Sequence, residues 1–286
     1  MICILIDRFR CKIVKRRRLL GLSRHSGMLQ LFIIFAPMSK YSHDHIVPYE
    51  DSSLGKKQQV SDMFNKIAFR YDFLNRLLSG GTDLYWRKRA IRELVENQPK
   101  TVLDVATGTG DMAIIMTKYL PVEQVIGIDI SEGMLDLGRK KVAKLKLKEK
   151  IALQAGDSEA INFPDASFDG VTVAFGVRNF EHLELGIKEM RRVLKPGGKL
   201  VVLEFSKPKQ SGFRKLCQFY MGRIAPGLVQ FFSKKQAYQY LNKSVQSFPE
   251  GDNFLNIMHG AGFTRTYLKP LSLGICTIYC GTRPIS

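Results

Sequence analysis

The stretch TVLDVATGTGDMA, residues 101–113, decides the fold. It begins as a short buried strand and continues through a glycine loop into a helix. Gly108, Gly110 and Ala113 match the pattern G-x-G-x-x-[GA], and Asp129 follows nineteen residues beyond Gly110. Glycines at such a turn let a ligand approach the backbone, and the later acid binds a ribose hydroxyl pair. The pattern by itself predicts a nucleotide site of the dinucleotide-binding kind.

Apolar strands and amphipathic helices alternate on both sides of this stretch, which predicts an α/β fold. Helices are expected over 57–78 and 83–97, and further strands over 124–129, 151–156, 168–175 and 198–205. Such alternation is typical of a mostly parallel sheet with helices on both faces. A helical, aromatic and basic section, 207–249, precedes two last strands, whose short loop predicts an antiparallel hairpin at the sheet's edge. The prediction is a Rossmann-like, seven-stranded sheet with an antiparallel last strand, an N-terminal helical lid and a helical insert.

Residues 1–55 are predicted to be an extension of the domain at 56–286. Of the net charge of +18, residues 1–37 carry +7, from eight Lys or Arg and one Asp. Their basic, acid-poor composition fits an organellar transit peptide or a membrane-surface anchor. It also fits an overlong start, because Met38 opens a polar stretch that resembles an ordinary N-terminus. His43 and His45 in that stretch are predicted to be solvated, and no metal site is predicted.

Cysteine content and hydropathy indicate the compartment. Five cysteines are too few for a disulfide framework, which favours a reducing compartment, and we expect a cytoplasmic protein. Cys276 and Cys280 lie in a predicted strand, about 13 Å apart, so two isolated thiols are expected. No apolar run approaches the ~18 residues of a membrane span.

Three features favour S-adenosylmethionine (SAM) over NAD as the ligand of the glycine loop. Asp104 ends the first strand beside the loop, where a carboxylate repels a pyrophosphate and attracts a cationic amino group. The Asp157–Ser158 pair ends the third strand, where a carboxylate can accept a hydrogen bond from an adenine amine. A Pro-Gly-Gly turn precedes the fifth strand. Over residues 99–205 this set resembles the class I SAM-dependent methyltransferases.

Three segments narrow the resemblance to one family. FNKIAFRYDFLNRLLSGGTDLYWRK (64–88), FGVRNF (175–180) and RVLKPGGKLVVLEFS (192–206) resemble signatures of the ubiquinone/menaquinone biosynthesis methyltransferases. The resemblance runs from about Val60 to the C-terminus. It implies C-methylation of a polyprenylated quinol: demethylmenaquinol to menaquinol, or alternatively a 2-methoxy-6-polyprenyl-1,4-benzoquinol, alone or in a dual-function enzyme. The loop sequence ATGTGD resembles the menaquinone-only members more closely, which favours demethylmenaquinol.

The resemblance also implies site residues. Cofactor contacts carry over to Thr109 in the glycine loop, to Asp129 and to the Asp157–Ser158 pair. Many members have His where this chain has Asp83, so no catalytic role is assigned to that position.

The implied chemistry requires a cation near the acceptor ring. A ring carbon beside a hydroxyl attacks well only when that hydroxyl, with a pKa near ~10, loses its proton. A nearby positive charge favours this ionisation. Arg178 is the candidate cation, with a structural arginine paired to a helix or to a carboxylate as the alternative. Tyr71 and Asp72 are candidates for a lid or a proton acceptor, with helix packing and helix charge as the alternative; His182 is a further candidate proton relay.

The insert at 207–249 is the predicted binding site of the prenyl tail. Its clustered Phe and Tyr suit an apolar tunnel, and its Lys and Arg suit contact with an anionic membrane surface, while a helical cap with its own core is the alternative. We therefore expect peripheral membrane attachment; a homodimer is also expected. A nucleic-acid methyltransferase is disfavoured because no Pro-Pro-aromatic or Pro-Cys target-base motif follows the fourth strand. A non-catalytic scaffold of the same fold is disfavoured by the intact set of acids and glycines.

Overall fold

The structure is a computed structural model, and it describes residues 41–224 and 235–285. Helices and strands alternate as the sequence predicts. The helices are α1 (Lys56–Ser79), α2 (Thr82–Arg92), α3 (Asp111–Tyr119), α4 (Glu132–Lys144), α5 (Leu183–Val193), α6 (Ser211–Phe219), α7 (Lys235–Ser247) and α8 (Asp252–Gly260). The strands are β1 (Thr101–Val105), β2 (Gln124–Asp129), β3 (Ile151–Ala155), β4 (Phe168–Ala174), β5 (Leu194–Phe205), β6 (Thr264–Leu271) and β7 (Cys276–Thr282).

The seven strands form one sheet in the order β3-β2-β1-β4-β5-β7-β6. Strands β1 to β5 pair in parallel, and β7 is antiparallel to both of its neighbours. The predicted fold is therefore confirmed, including the edge hairpin. Cys276 and Cys280 are free and buried in β7, as expected. The chain runs outward in opposite directions from β1 and β4, and a sheet of this kind binds its ligand at the carboxyl ends of those two strands.

Alternating side chains of the strands fill one apolar layer on each face of the sheet. Val102 of β1 packs with α2, α3 and α4 on one face, while Leu103 and Val105 pack with α5 and α8 on the other. This alternation is what a strand covered on both faces requires. The two layers make the sheet a rigid support for the loops at its carboxyl edge.

Helix α1 is the predicted N-terminal lid. It ends at Gly80, whose φ of 58° suits the left-handed cap that a glycine adopts most easily. The Ser61 hydroxyl donates to the carbonyl of Ile130 (2.9 Å), just after β2. The Asn65 side chain accepts from the backbone N–H of Gly133 (2.9 Å) at the start of α4. Helix α1 is thus held across the carboxyl end of β2, over the edge where ligands bind.

The segment 41–55 belongs to the folded domain, so the predicted boundary at residue 55 is wrong. The Tyr41 hydroxyl donates to Glu184 (2.5 Å), and Lys56 Nζ donates to the carbonyl of His43 (2.8 Å). His43 is fully buried against Phe248, so its predicted solvated position is wrong as well. Burial, together with the charge of Lys56, lowers the pKa of His43 to about 4. The predictions for residues 1–37 lie outside the described residues.

The insert 207–249 is helical over residues 211–224 and 235–247. Helix α6 continues into a π-helical turn, Tyr220–Ile224, and α7 follows the undescribed residues 225–234. The Tyr220 hydroxyl donates to the carbonyl of Leu78 (3.2 Å), which joins the insert to the end of α1. Among the helices described, none is both long and apolar enough to cross a bilayer.

Candidate active site

The carboxyl ends of β1 to β4 surround a cleft that α1 covers. We call it the strand-end cleft. Its floor comes from Ala106 and Gly108 after β1, Asp129 at the end of β2, residues 156–158 after β3 and Ala174 at the end of β4. The helix contributes Lys57, Val60, Phe64 and Tyr71. The cleft therefore lies where the strand order predicts a ligand site.

The glycine loop and Asp129 meet in this cleft, as the motif predicts. The backbone N–H groups of Gly108 and Ser131 each donate to the Asp129 carboxylate at 2.8 Å, which fixes its orientation. Gly108 has a φ of 57°, and a Cβ placed there would meet no atom within 4 Å. The loop thus leaves open space for a ligand beside a fixed carboxylate. Burial raises the pKa of Asp129, and its hydrogen bonds with backbone N–H groups oppose this shift.

The charges around the strand-end cleft favour a cationic ligand. Four carboxylates line it, and Lys57 is the only cation among its described lining residues; the acids are Asp129, Asp157, Glu159 and Glu181. Asp111 occupies the first turn of α3, the helix terminus where a pyrophosphate usually binds. Burial opposes the effect, but the charges of Arg87 and Lys141 lower the pKa of Asp111 to about 2. A pyrophosphate would be repelled by these carboxylates, whereas a sulfonium with an ammonium group would be attracted.

Asp104 lies beneath the glycine loop, and it is not one of the cleft's lining residues. Its two carboxylate oxygens accept from the hydroxyls of Thr107 (2.6 Å) and Thr172 (2.7 Å), and the residue is 1% exposed. Burial raises the pKa of Asp104 to about 6. Asp104 was predicted to contact a cofactor amine directly. In the structure it lies one layer below the surface of the cleft, so its charge acts on a ligand through the glycine loop.

The Asp157–Ser158 pair lines the cleft as predicted, but α1 already contacts the carboxylate. Lys57 Nζ lies 2.6 Å from Asp157 Oδ2 and 3.2 Å from Glu159. Asp157 Oδ1 accepts from the backbone N–H of Glu159 (2.9 Å). Ser158 stands beside this pair in the cleft wall. Asp157 can bind an exocyclic amine only if it shares or releases Lys57.

Thr109 and Asp72 hold α1 to the glycine loop. The Thr109 hydroxyl donates to Asp72 Oδ1 (2.7 Å), and Lys141 Nζ bridges Asp72 (2.8 Å) and Asp111 (2.6 Å). Arg76 joins the same network through Asp111 (2.6 Å). The structure places both residues in this network, away from the lining of the strand-end cleft and of the cavity described next. Asp72 is therefore positioned to hold the lid helix in place. It lines neither space, whereas a proton acceptor would have to reach the ligand.

A large apolar cavity adjoins the cleft. It has a volume of about 930 Å³ and lies between α1, α2, α6, α7 and the ends of β4 and β5. Trp86, Phe175 and Phe205 form an aromatic wall, with Phe175 and Phe205 stacked at 4.6 Å between ring centroids. The residues that line both the cleft and the cavity are Phe64, Tyr71, Phe175 and Asn179. The two spaces therefore meet at these four side chains.

Tyr71 and Asn179 bring polar groups to this junction. The Tyr71 ring packs edge-on against Phe64, and its hydroxyl makes no hydrogen bond within residues 41–224 and 235–285. The Asn179 Oδ1 accepts from the buried Tyr240 hydroxyl of α7 (3.1 Å). Tyr71 was predicted as a site residue, whereas Asn179 and Tyr240 were not singled out. Asn179 lies within the segment FGVRNF, so the family resemblance contained the missing signal.

Arg178 lies in the cavity wall, but its guanidinium is already engaged. Its Nη1 donates to the carbonyl of Phe175 (2.6 Å) and to Glu204 (2.7 Å), a carboxylate with no exposed surface. Phe175 has a φ of 60°, a strained value for a bulky residue, and the Arg178 contact helps to hold it. Burial raises the pKa of Glu204, and the charge of Arg178 opposes this. The structure thus agrees with the alternative interpretation of Arg178, a structural arginine paired with a carboxylate. His182 lies outside the lining of both spaces, 3.7 Å from Glu159.

The sheet order and the acid-lined cleft at its carboxyl edge define a class I SAM-dependent methyltransferase. Solved structures agree on the fold. A SAM-dependent methyltransferase from Thermotoga maritima aligns with a TM-score of 0.57 at 18% identity, covering 78% of this chain and 99% of that one. Another from Aquifex aeolicus aligns with a TM-score of 0.52 at 20% identity, covering 74% and 97%.

The chain belongs to the ubiE/COQ5 methyltransferase family, whose model matches residues 53–283. A demethylmenaquinone methyltransferase from Bacteroides fragilis is 44% identical over 85% of this chain and 99% of its own length. A ubiquinone/menaquinone biosynthesis C-methyltransferase UbiE from Geobacter sulfurreducens is 45% identical over 80% and 90%. A demethylmenaquinone methyltransferase from Thermus thermophilus is 44% identical over 78% and 100%. The predicted family and the predicted SAM-dependent enzyme class are confirmed.

Proposed function

We propose that this chain transfers a methyl group from SAM to a ring carbon of demethylmenaquinol and so produces menaquinol. The observation that carries the proposal is the junction at Phe64, Tyr71, Phe175 and Asn179, where an acid-lined cleft opens onto a large apolar cavity. A cationic methyl donor fits the first space and a lipid-tailed ring fits the second. The relatives from Bacteroides fragilis and Thermus thermophilus are named for this reaction.

SAM supplies a methyl group on a sulfonium, which needs no activation by the protein, so the chain's own residues contribute mainly position and charge. Asp129 offers a carboxylate held by two backbone N–H groups to the ribose hydroxyls, and Ser158 and Asp157 stand at the adenine end. Trp86, Phe175 and Phe205 provide the flat apolar wall against which the acceptor ring packs. The remaining volume of the cavity accommodates the prenyl tail and excludes water from the ring.

The acceptor ring is tested directly with the purified full-length chain. Chemically reduced demethylmenaquinol and 2-methoxy-6-polyprenyl-1,4-benzoquinol are offered separately with SAM, and the products are weighed by mass spectrometry. Methylation of the naphthoquinol alone is the expected result. The 45% identity to the Geobacter sulfurreducens UbiE protein makes methylation of both rings the specific alternative. No methylation of either ring overturns the proposal.

A matched pair of variants separates this chemistry from loss of the fold. Asp129→Asn weakens the ribose contact, so both activity and binding of S-adenosylhomocysteine are expected to fall. Glu96→Gln removes an exposed carboxylate outside both spaces, and its activity is expected to equal that of the unmodified chain. Equal activity of the two variants would contradict the assignment of the cleft.

The mouth of the cavity supports peripheral attachment to an anionic membrane. Arg214 and Phe219 of α6 line the cavity and are also exposed. A cation beside an aromatic ring at the entrance suits a charged lipid headgroup layer from which a prenyl tail is taken. Flotation with vesicles of phosphatidylglycerol and phosphatidylcholine is expected to recover the full chain, and less of an Arg214→Gln/Phe219→Ser variant. Lys150→Gln, an exposed charge before β3 at the opposite edge of the sheet, is the control.

Equal recovery of all three proteins would mean that the membrane contact does not involve Arg214 and Phe219. No recovery of the unmodified chain would refute membrane attachment. The expected homodimer stays a prediction that sedimentation equilibrium of the purified chain checks.

A further inference from the structure

We propose that Arg87 of α2 binds the ionised ring oxygen of the acceptor quinol and favours its ionisation. The proposal rests on the proposed function, because it assigns a substrate contact within the same cavity. Its chemistry is an acid–base equilibrium of the ligand: a ring hydroxyl gives its proton to water, and the oxyanion that remains accepts hydrogen bonds from the guanidinium. Charge-assisted bonds of this kind are the strong ones.

The Arg87 guanidinium is buried, and it has no hydrogen-bonding partner among residues 41–224 and 235–285. The residue is 6% exposed and lines the apolar cavity. Its Nε is buried and unsatisfied, and in the described parts of the chain its only ion pair is with Asp83, at 3.8 Å. That separation is beyond hydrogen-bond distance. A buried cation in this state carries a large desolvation penalty unless a ligand supplies the missing acceptor.

Arg178, beside the same aromatic wall, also has a buried Nε without a hydrogen bond, but its Nη1 is bonded to a carboxylate. The guanidinium carbon of Arg87 lies 5.2 Å from the centre of the Phe175 ring, and that of Arg178 lies 5.5 Å from the centre of Phe205. Arg178 donates to Glu204 and to a backbone carbonyl, so a buried carboxylate balances its charge. Of the two arginines beside the stacked rings, Arg87 is therefore the one that no carboxylate of the described residues accepts a hydrogen bond from.

The position of Arg87 also matches the place where the reaction occurs. Phe175 lines both the strand-end cleft and the cavity, and Arg87 lies against its ring. An aromatic ligand that packs on the wall of Trp86 and Phe175 has Arg87 within reach of a ring oxygen. The carbon beside that oxygen is then close to the junction of the two spaces.

The charged groups that face Arg87 are themselves paired. Asp83 accepts from Ser79 and from Arg76, and Asp111 binds Arg76 and Lys141.

The sheet presents two further titratable groups to Arg87. Asp104 of β1 accepts from two threonine hydroxyls. Cys276 of β7 is a buried thiol whose pKa is raised well above its usual value, so it is neutral. The charge of Arg87 acts on Asp111 and Asp104, but each of these carboxylates has its hydrogen bonds with other groups, which leaves the N–H donors of Arg87 available to a ligand.

A naphthol bound to the full-length chain tests the inference without turnover. Its absorbance changes on ionisation, so a pH titration of the complex, saturated with S-adenosylhomocysteine, gives the pKa of the bound ligand. A cation at hydrogen-bond distance lowers such a pKa by about 1–3 units, a tenfold to thousandfold change in the ionisation constant. We expect this shift in the unmodified chain, its loss in Arg87→Met and its partial return in Arg87→Lys.

The controls separate this inference from the proposed function. Arg92→Met makes the same change at an exposed position of α2 and is expected to leave the bound pKa unaltered. Circular dichroism confirms the fold of each variant, and Arg87→Lys provides the comparison if Arg87→Met does not fold. Equal bound pKa values in the unmodified chain and in a folded Arg87 variant would overturn the role of Arg87 alone. Failure of the unmodified chain to bind the naphthol would overturn the aromatic-acceptor site, and the proposed function with it.

Discussion

Replacing Asp104 by Asn is expected to stabilise the protein at neutral pH while weakening the binding of SAM. Asp104 is buried beneath the glycine loop, and its carboxylate accepts from the hydroxyls of Thr107 and Thr172. An amide keeps both contacts, because a threonine hydroxyl can donate to the amide oxygen or accept from the amide nitrogen. The substitution therefore removes a buried negative charge without leaving a polar group unpaired. The charge itself serves the cationic ligand above it.

The pKa of Asp104 sets the size of the effect. Burial raises it from 3.8 to about 6, so the folded state binds this proton more tightly than the unfolded state does. The corresponding stability is fully present below pH 3.8 and is lost as the pH rises through 6. At 1.36 kcal/mol per pKa unit the loss is about 3 kcal/mol at pH 8. About 1.6 kcal/mol of it has already gone at pH 5, so about 1.4 kcal/mol disappears between pH 5 and pH 8.

Urea unfolding at pH 5 and pH 8 measures this difference. The stability of Asp104→Asn relative to the unmodified chain should rise by about 1.4 kcal/mol between the two values. Asp169→Asn is the control: burial opposes the shift, but hydrogen bonds with Lys195 and Thr101 lower the pKa of Asp169, so its effect should be nearly equal at both pH values. A relative stability of Asp104→Asn that does not change with pH would refute the reasoning.

Three further outcomes are expected. Asp72→Asn should retain methyl transfer within about tenfold, because Asp72 holds α1 in place and does not line either space. General acid–base catalysis contributes about 10²–10⁴-fold. A loss of activity of that size would therefore show that Asp72 is a proton acceptor. Leu74→Trp should raise the KM for long-tailed quinols and leave the Kd of S-adenosylhomocysteine unchanged, because Leu74 lines only the apolar cavity. Lys57→Met should tighten the binding of SAM more than that of S-adenosylhomocysteine, because SAM carries one more positive charge. Calorimetry measures both Kd values, and equal changes in the two would exclude an electrostatic effect.

The elements of the fold could be predicted from local sequence pattern because each strand and helix carries its own periodicity. The strand predicted over 124–129 is observed as Gln124–Asp129, and the helix predicted over 57–78 is Lys56–Ser79. Residues 41–55 carry no such periodicity. Their position depends on contacts such as that between Tyr41 and Glu184, which are 143 residues apart in the chain. A polar segment that is buried by distant partners leaves no local pattern, and His43 was misjudged for this reason.

The site could be predicted where one sequence motif contains both of the residues that meet and the spacing between them. Gly108 and Asp129 meet as expected because the glycine loop and the end of β2 are adjacent in every sheet of this order. The state of Arg178 depended instead on Glu204, which lies 26 residues away and faces it from β5. Arg87 could not be predicted from the sequence, because its significance comes from a guanidinium that makes no hydrogen bond within the described residues, in a cavity that α1, α2 and α7 form together.

The two spaces carry opposite charge, which raises a difficulty for catalysis. A cationic donor and an anionic acceptor both lose their charge as the methyl group moves, so walls that paired them fully would stabilise the reactants more than the transition state. The structure limits this effect: Lys57 partly offsets the carboxylates of the cleft, and Glu204 balances Arg178 in the cavity. Tighter SAM binding in Lys57→Met should therefore come with an unchanged or lower kcat. A variant in which both affinity and kcat rose would show that Lys57 only weakens binding, and that the offsetting charges are not tuned to the reaction.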